Sequence, residues 1–372
     1  MCQGGRGFRR QPAELLRLVK AQPWLQFDYI QKLFCDVLKL GVNKLKVAVI
    51  GFGKMGVLHD GILNVLPKVR LVAVCEKSGL IRRFMKKLFK DVFVVDDVSG
   101  LSDLGLDAVY VTTPISCHFA VVKSIYNRRV ASNVFVEKPL ASNYGEAREL
   151  CDLALKFGGV NMVGYMRRFS VTFKKAKELL NQGVIGEPIS FSAYTYSSDF
   201  FGVDKNSKAH TPKISVLRDL GCHAIDLALW FFGDFKVKNA KVDSLFGEDS
   251  EDSVFFEVET EGGVGGKFNV SWCVDGYRMP EVGFTVEGSK GFMRVNDDVL
   301  ELSLNCGEKL RWFRHDLKDG VGFWLGAPEY YREDECFVEA VLRGGSVEPC
   351  FETAAKVDRL IDEVLVKAGR VG

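Results

Sequence analysis

Apolar and polar positions follow one rhythm up to about Arg168 and another after it. From Lys44 onward, short apolar runs alternate with helical stripes. "KLKVAVI" reads as a buried strand and "KMGVLHDGILNVL" as a helix. "VRLVAVC" is a second strand, followed by "GLIRRFMKKLFK", a helix with Ile81, Phe84, Met85, Leu88 and Phe89 on one face. "DAVYVTT" is another strand, followed by a helix from about Ser116 to Arg129. Then come "NVFVEK", a helix near 143–157, and "GVNMVGY". Alternating strands and helices imply an α/β fold with a parallel sheet covered on both faces.

Past Arg168 a helix over 170–182 leads to "PISFSAYTYSS", and another helix is expected near 219–232. Strand candidates then crowd together: "KNAKVDSLF", "SVFFEVET", "VGGKFNVSW", "EVGFTVEG", "GFMRVN", "VLELSLN" and "KLRWFRH". Turn signals such as Gly262-Gly263, Gly288-Ser289 and Asn296-Asp297 separate several of them, which predicts a largely antiparallel sheet. Helices near 328–343 and 351–368 end the pattern. Residues 1–43 stand apart, with helical periodicity in "PAELLRLVK" and "FDYIQKLFCDVLKL" but no catalytic constellation. They read as an appended helical pair, as an oligomer contact, or as sequence ahead of a later start at Leu40 or Val42. The expected division is therefore 1–43, 44–164 and 165–372.

Bulk properties narrow the function. The 372 residues carry a formal net charge of +2, which gives no electrostatic case for nucleic acid or acidic lipid as the main partner. No apolar run reaches the length of about 18 residues that a membrane span needs. No apolar h-region follows the basic first residues, so no secretory signal is expected. Ten cysteines are scattered singly, which fits a reducing cytoplasm better than a disulfide or zinc framework, and no metal site is expected.

The chemistry begins with "VIGFGKMG", where Gly51, Gly53 and Gly56 fall in G-x-G-x-x-G spacing between a strand and a helix. The first glycine permits a tight turn, the second a close backbone approach to pyrophosphate, and the third close helix–strand packing. The helix start, with Lys54 and Met55, offers free N–H groups to phosphate. Glu76 ends the next strand, near the spacing expected for a carboxylate on the adenosine ribose. It favours NAD, while Lys77, Arg82 and Arg83 keep NADP open. A second constellation is "RDLGCHAIDLALWFFG". Asp219, His223, Asp226 and Trp230 recur at helical spacing, so one face would carry them all. Periodicity alone leaves bland readings open: Asp219 as a helix N-cap and His223 as a hydrogen-bonded core residue.

With "VIGFGKMGVLH", "VYVTTPISCHFAVV", "VFVEKPLA", "VGYMRRF", "GVIGEPISF", "RDLGCHAIDLALW" and "YYREDECFVEAVLRGG" in this order, the chain resembles the Gfo/Idh/MocA oxidoreductases from about Lys44 to its end. The resemblance implies an N-terminal Rossmann domain and a C-terminal α/β domain with a large, mostly antiparallel open sheet. That sheet commonly serves oligomerisation, so a homodimer or homotetramer is implied. The substrate would sit between the domains, at the nicotinamide. Thr113 and Pro114 would lie beside the cofactor, with His118 at the start of the next helix. Glu137 and Lys138 fall on the family's "EKP" element, whose lysine is catalytic. Tyr165 and Arg168 fall in the motif of the second-domain arginine, which is expected to bind substrate with Lys138 and His223. His223 falls on the acid–base histidine, with Asp219 and Asp226 in polar positions around it. An Asp226 that faces His223 would fix the ring's tautomer. Tyr194, Tyr196, Arg218 and the loop "GVGFWLGAPEYY" are expected pocket walls.

Two features depart from the family pattern. The approach to Asp219 is "KISVLRD" rather than Gly-rich. Trp230 stands where inositol dehydrogenases carry a histidine, which argues against an inositol substrate.

"FVEKPL" ends a parallel strand, and open parallel sheets bind ligands at the carboxyl ends of their strands. Pro139 biases Lys138 towards an extended backbone, so the ammonium can be aimed at a substrate oxygen. A lysine and a histidine on one hydroxyl are each expected to lower the other's pKa. The expected activity is NAD(P)-dependent hydride transfer at a hydroxyl or carbonyl carbon of a sugar or polyol. An NAD-dependent glycoside hydrolase and a non-enzymatic dinucleotide sensor of the same fold are the alternatives.

Overall fold

The computed structural model describes residues 44–202, 215–245 and 251–370. The helices expected within 1–43 lie outside the described residues. The first layer is built from β1 (Leu45–Ile50), α1 (Lys54–Val65), β2 (Val69–Cys75), α2 (Gly79–Leu88), β3 (Phe93–Val95), β4 (Ala108–Val111), α3 (Ile115–Asn127), β5 (Asn133–Glu137), α4 (Tyr144–Phe157) and β6 (Asn161–Gly164). The strands lie in the order β3-β2-β1-β4-β5-β6 and all pair in parallel. This is the doubly wound order that places a ligand crevice where the winding reverses, between β1 and β4. The last four residues of β1 and all of β4 are buried, as a sheet covered on both faces requires.

Local signals set several helix starts. Asn143 caps α4 by accepting from the Glu146 amide at 2.9 Å, a bond of about 1 kcal/mol relative to alanine. Ser78 caps α2 in the same way. The apolar stripe expected on α2 is only partly used: Met85 is buried, while Phe84 and Leu88 are exposed. Strand β3 was not anticipated, because three residues carry no readable periodicity.

The second layer contains α5 (Val171–Asn181), β7 (Pro188–Tyr196), α6 (Cys222–Phe232), β8 (Phe235–Asp243), β9 (Ser253–Thr260), β10 (Gly265–Ser271), β11 (Glu281–Gly288), β12 (Gly291–Asn296), β13 (Val299–Leu304), β14 (Lys309–Phe313), α7 (Pro328–Arg343) and α8 (Phe351–Lys367). Its sheet runs β14-β13-β12-β11-β7-β10-β9-β8. All pairs are antiparallel except β10 with β7. Burial alternates along β9, so one sheet face is packed and the other open. Helices α5, α6 and α8 contact the packed face, and α8 also lies against α4. One hydrophobic core therefore runs through both layers, from Ala48 of β1 to Phe268 of β10.

The helix expected from Asp219 begins differently. Residues Leu217–Gly221 form a π-helical turn, and the regular helix starts at Cys222. Asp219 lies inside that turn and is not an N-cap.

Candidate active site

The phosphate loop follows from its glycines. Gly51 has φ +91°, and a Cβ there would meet Thr113 at 2.9 Å. A Cβ on Gly56 would strike the Gly51 carbonyl oxygen at 2.1 Å, so α1 can approach β1 only because Gly56 is bare. A Cβ on Gly53 would meet nothing within 4 Å and would project into open space. No side chain caps α1 at Gly53, which leaves the helix start for an anion.

Glu76 is held in place at the end of β2. One carboxylate oxygen accepts from the Phe52 amide at 2.8 Å and the other from the Ser78 amide at 2.7 Å. A cavity of about 330 Å³ beside it is lined by Gly51, Glu76, Lys77, Thr113, Pro114 and Cys117. This set fits a dinucleotide: a turn that bends tightly, an uncapped helix start and an oriented carboxylate at the adenosine end. Arg82, weighed as a 2′-phosphate ligand, donates instead to the Glu76 and Lys77 carbonyls at 2.8 and 2.6 Å. His118 is a strut rather than a lining residue. It is buried, with Nδ1 2.9 Å from the Pro139 oxygen and Nε2 2.8 Å from the Thr113 oxygen. Burial keeps its pKa below the ordinary value despite both carbonyls.

A larger cleft, about 640 Å³, opens where β5 ends. Lys54 and Met55 of α1 line it, as do Lys138, Asp219, His223 and Arg167. The loop before α7 adds Gly326 and Ala327, and the first turn of α7 adds Glu329 and Tyr330. The Lys138–Pro139 bond is cis. The Lys138 ammonium donates to the Asp219 carbonyl at 2.6 Å and to its carboxylate at 3.0 Å. Burial alone would lower its pKa, but Cys222 where that thiol ionises, and the Asp219 and Glu137 carboxylates, outweigh burial and raise it. The expected lowering by histidine is thus overturned for the lysine. Burial pushes the Cys222 thiol up to about 12, so it stays neutral near pH 7.

His223 behaves in the opposite way. Burial first, then the charges of Arg167 and Lys138, drive its pKa well below 6.5. The ring is a neutral imidazole, and its Nδ1 is buried without a hydrogen-bond partner. Tyr165 meets the ring edge-on, with centroids 6.2 Å apart.

Several expected site residues lie elsewhere. Asp226 does not face His223. Both its oxygens accept from Arg168, at 2.7 and 2.8 Å, in the interior. Three residues carry Asp226 about 4.5 Å further along the α6 axis than His223, past the cleft. Burial raises the Asp226 pKa against the pull of Arg168. Arg168 is thus committed to the core, and Trp230 packs over its guanidinium at 5.9 Å. Its neighbour Arg167 reaches the cleft, bonded to Asp297 at 3.0 and 3.1 Å and to the Pro280 oxygen at 2.9 Å. Residues Met166–Phe169 form a 3₁₀ turn, in which successive side chains diverge by roughly 120°. Tyr165 is buried behind His223, and its hydroxyl has no partner. Tyr194 and Tyr196 stack on each other at 4.9 Å and line a separate hollow with Phe255 and Lys267. Arg218 is bound to Asp358 and Asp362.

One cluster has no counterpart in the sequence reading. His59 of α1 is fully buried, with Nε2 2.8 Å from Glu137 and Nδ1 2.8 and 2.9 Å from the Asp334 oxygens. Its signal was the histidine closing "VIGFGKMGVLH", but its partners lie far away in sequence.

Comparison with known proteins covers both layers. Residues 45–165 match an oxidoreductase family with an NAD-binding Rossmann fold, and residues 173–294 match the GFO/IDH/MocA C-terminal domain. The chain is 30% identical over 156 residues to scyllo-inositol 2-dehydrogenase (NAD(+)) of Bacillus subtilis, an alignment covering 41% of this chain and 45% of that protein. It therefore spans less than half the length of that relative. Inositol 2-dehydrogenase of Rubrobacter xylanophilus is 26% identical over 321 residues, covering 81% of this chain and 84% of the relative. Levoglucosan dehydrogenase, solved in complex with NADH and levoglucosan, superposes with a TM-score of 0.78 at 21% identity, over 88% of this chain and 98% of its own; it shares the fold. No described helix is long and apolar enough to cross a membrane. With one family's two domains matched in chain order across both sheets, this chain belongs to the Gfo/Idh/MocA oxidoreductases.

Proposed function

We propose that this protein is an NAD-dependent dehydrogenase acting on a hydroxyl-bearing carbon of a sugar or polyol, with Lys138 and His223 on the same substrate oxygen. One observation carries the reading: a lysine ammonium from the end of β5 and a neutral, incompletely bonded imidazole from the start of α6 reach one cleft. When bound, NAD accepts the hydride. The hydroxyl proton then needs a base. His223 is neutral and can take it at Nε2, because Nδ1 is sealed in the protein. Lys138, kept charged by its acidic neighbours, steadies the oxygen as negative charge grows on it. Asp219 holds the ammonium in place and is a positioning residue.

In this reading residues 44–164 bind the cofactor, and 165–372 supply the substrate pocket and an assembly surface. The open face of the second sheet, with exposed Phe255 and Phe292, suits a second copy of the chain. The scattered single cysteines suit a reducing cytoplasm.

The test is a panel of neutral sugars, anhydrosugars, polyols and cyclitols, followed by nicotinamide absorbance with NAD and NADP. Reduction of NAD by at least one of them, lost in His223→Ala, is expected. Tight NAD binding with no reduction across the panel would overturn the proposal.

A further inference from the structure

Histidine 59 lies outside the cleft, yet it touches the element that carries the lysine. Its Nε2 donates to one oxygen of Glu137 at 2.8 Å. The other oxygen of the same carboxylate accepts from the backbone amide of Lys138 at 3.2 Å. On the far side, Nδ1 donates to both oxygens of Asp334 in α7. The ring is walled in by Phe135, Tyr110 and Tyr330, at centroid distances of 5.1, 5.6 and 6.2 Å. Gly164 of β6 leaves room for the Glu137 carboxylate, because a Cβ there would come within 3.3 Å of it. The chain of contacts is therefore Asp334, His59, Glu137, Lys138, and it ties α7 and the cofactor helix α1 to the lysine's backbone.

We propose that His59 is a positioning residue, which fixes where Lys138 stands relative to the cofactor helix by holding Glu137 against Asp334. The kinetic part of this rests on the dehydrogenase reading; the geometric part does not. A ring that donates at both nitrogens must carry two protons. Burial alone would strip one, but Asp334 and Glu137 outweigh burial and lift the pKa well above 6.5. A further acidic neighbour is Glu333 of α7. Both its oxygens are buried without partners, and burial, with Glu137 close by, raises its pKa far above the ordinary range. With Glu333 shifted toward its neutral form, the imidazolium stands between Glu137 and Asp334, whose own pKa burial raises against the pull of His59. Glutamine cannot replace it, since its amide can donate to one carboxylate while its oxygen repels the other.

The experiment compares crystal structures and kinetics of the wild type, His59→Gln, Asp334→Ala and Asp334→Asn. In His59→Gln the Lys138 ammonium should leave Asp219. A displacement of about 1 Å should lower kcat about 10²-fold, with NAD affinity unchanged and a larger primary deuterium isotope effect. Simple destabilisation would lower the active fraction without raising the isotope effect. Asp334→Ala opens the same chain at its far end and serves if His59→Gln does not fold. Asp334→Asn keeps an acceptor for Nδ1 and should retain the lysine in place. A folded His59→Gln or Asp334→Ala variant with Lys138 still bonded to Asp219 overturns the proposal, whatever its activity. Displacement of Lys138 in a protein whose wild type oxidises nothing would support the positioning role and sink the dehydrogenase reading.

Discussion

Lys138 and Asp219 are joined twice, ammonium to carbonyl oxygen at 2.6 Å and ammonium to carboxylate at 3.0 Å, across the seam between the two sheets. A lysine tethered this way has one N–H left for a substrate oxygen. Lys138→Ala should lower kcat at least as far as loss of the general base does, about 10²–10⁴-fold. Lys138→Arg should not restore it, because a planar fork cannot take the place of a compact ammonium. Stopped-flow turnover beside calorimetric NAD binding separates the effects. Arginine retaining most of the rate would refute a specific role for the ammonium.

His223 should be uncharged throughout the neutral range, so oxidation should not depend on its titration there. Its folded pKa lies well below 6.5, and the activity limb it controls should appear only in acid. His223→Ala should remove that limb and lower kcat about 10²–10⁴-fold. The same shift links to stability. The unfolded chain binds the proton first, so the His223 contribution is present above 6.5 and is lost as pH falls through the folded value. Urea midpoints measured against pH for the wild type and His223→Gln should converge in acid. Parallel curves would mean that the ring does not titrate low.

Arg168 and Asp226 form a buried, doubly bonded pair that points away from the cleft. Removing either partner strands a charge, so Arg168→Met or Asp226→Leu should cost about 3–5 kcal/mol, and the double variant less than either single one. Denaturant unfolding gives the comparison. An Arg168→Met protein of full stability but weakened substrate affinity would return Arg168 to the substrate site.

Glu76 is fixed by two amides, and a carboxylate so held can accept from hydroxyls but repels a phosphate. Glu76→Ala should weaken NAD by roughly 1.5–3 kcal/mol, the worth of a hydrogen bond to a charged group, and leave NADP less affected. Paired titrations with the two dinucleotides check it. An unchanged ratio would show that the ribose is bound elsewhere.

Gly53→Val should spare the fold, because a Cβ there projects into open space, with nothing within 4 Å. It should abolish dinucleotide binding by filling the space the pyrophosphate needs. Circular dichroism and calorimetry together decide, and intact NAD affinity would remove the loop from the site.

Much of this was legible because the signals are local. The strands at Ser253–Thr260, Glu281–Gly288 and Gly291–Asn296 and the helix at Pro328–Arg343 have the bounds their patterns predict, since alternation and turn residues sit within the element itself. The phosphate loop and "FVEKPL" are likewise contiguous. What pairs with what was not local. Arg167 and Arg168 are adjacent and chemically alike, and only the 3₁₀ turn decides which of them enters the cleft. The partnership of His59 with Asp334 spans 275 positions and leaves no trace in either segment. The spacing of "RDLGCHAIDLALW" showed neither the π-helical turn that takes Asp219 out of α6 nor the depth of the cleft along the helix axis.

Strand β7 sits at the centre of the second sheet, yet neither of its neighbours is next to it in sequence. It pairs in parallel with β10, through Ser190 against Gly265, and antiparallel with β11, through Ser192 against Thr285. No hairpin can close either edge. The first must wait until the chain has been made past Ser271 and the second until it is past Gly288, and the entropy of closing such loops slows the pairing. During synthesis β7 therefore emerges with two bare edges, the condition that invites pairing with foreign strands. A chain cut short between β7 and β11 should aggregate rather than fold in part. Among destabilising changes, those at the β7 edges should show up first as lost yield in the cell, before any loss of activity in the molecules that fold.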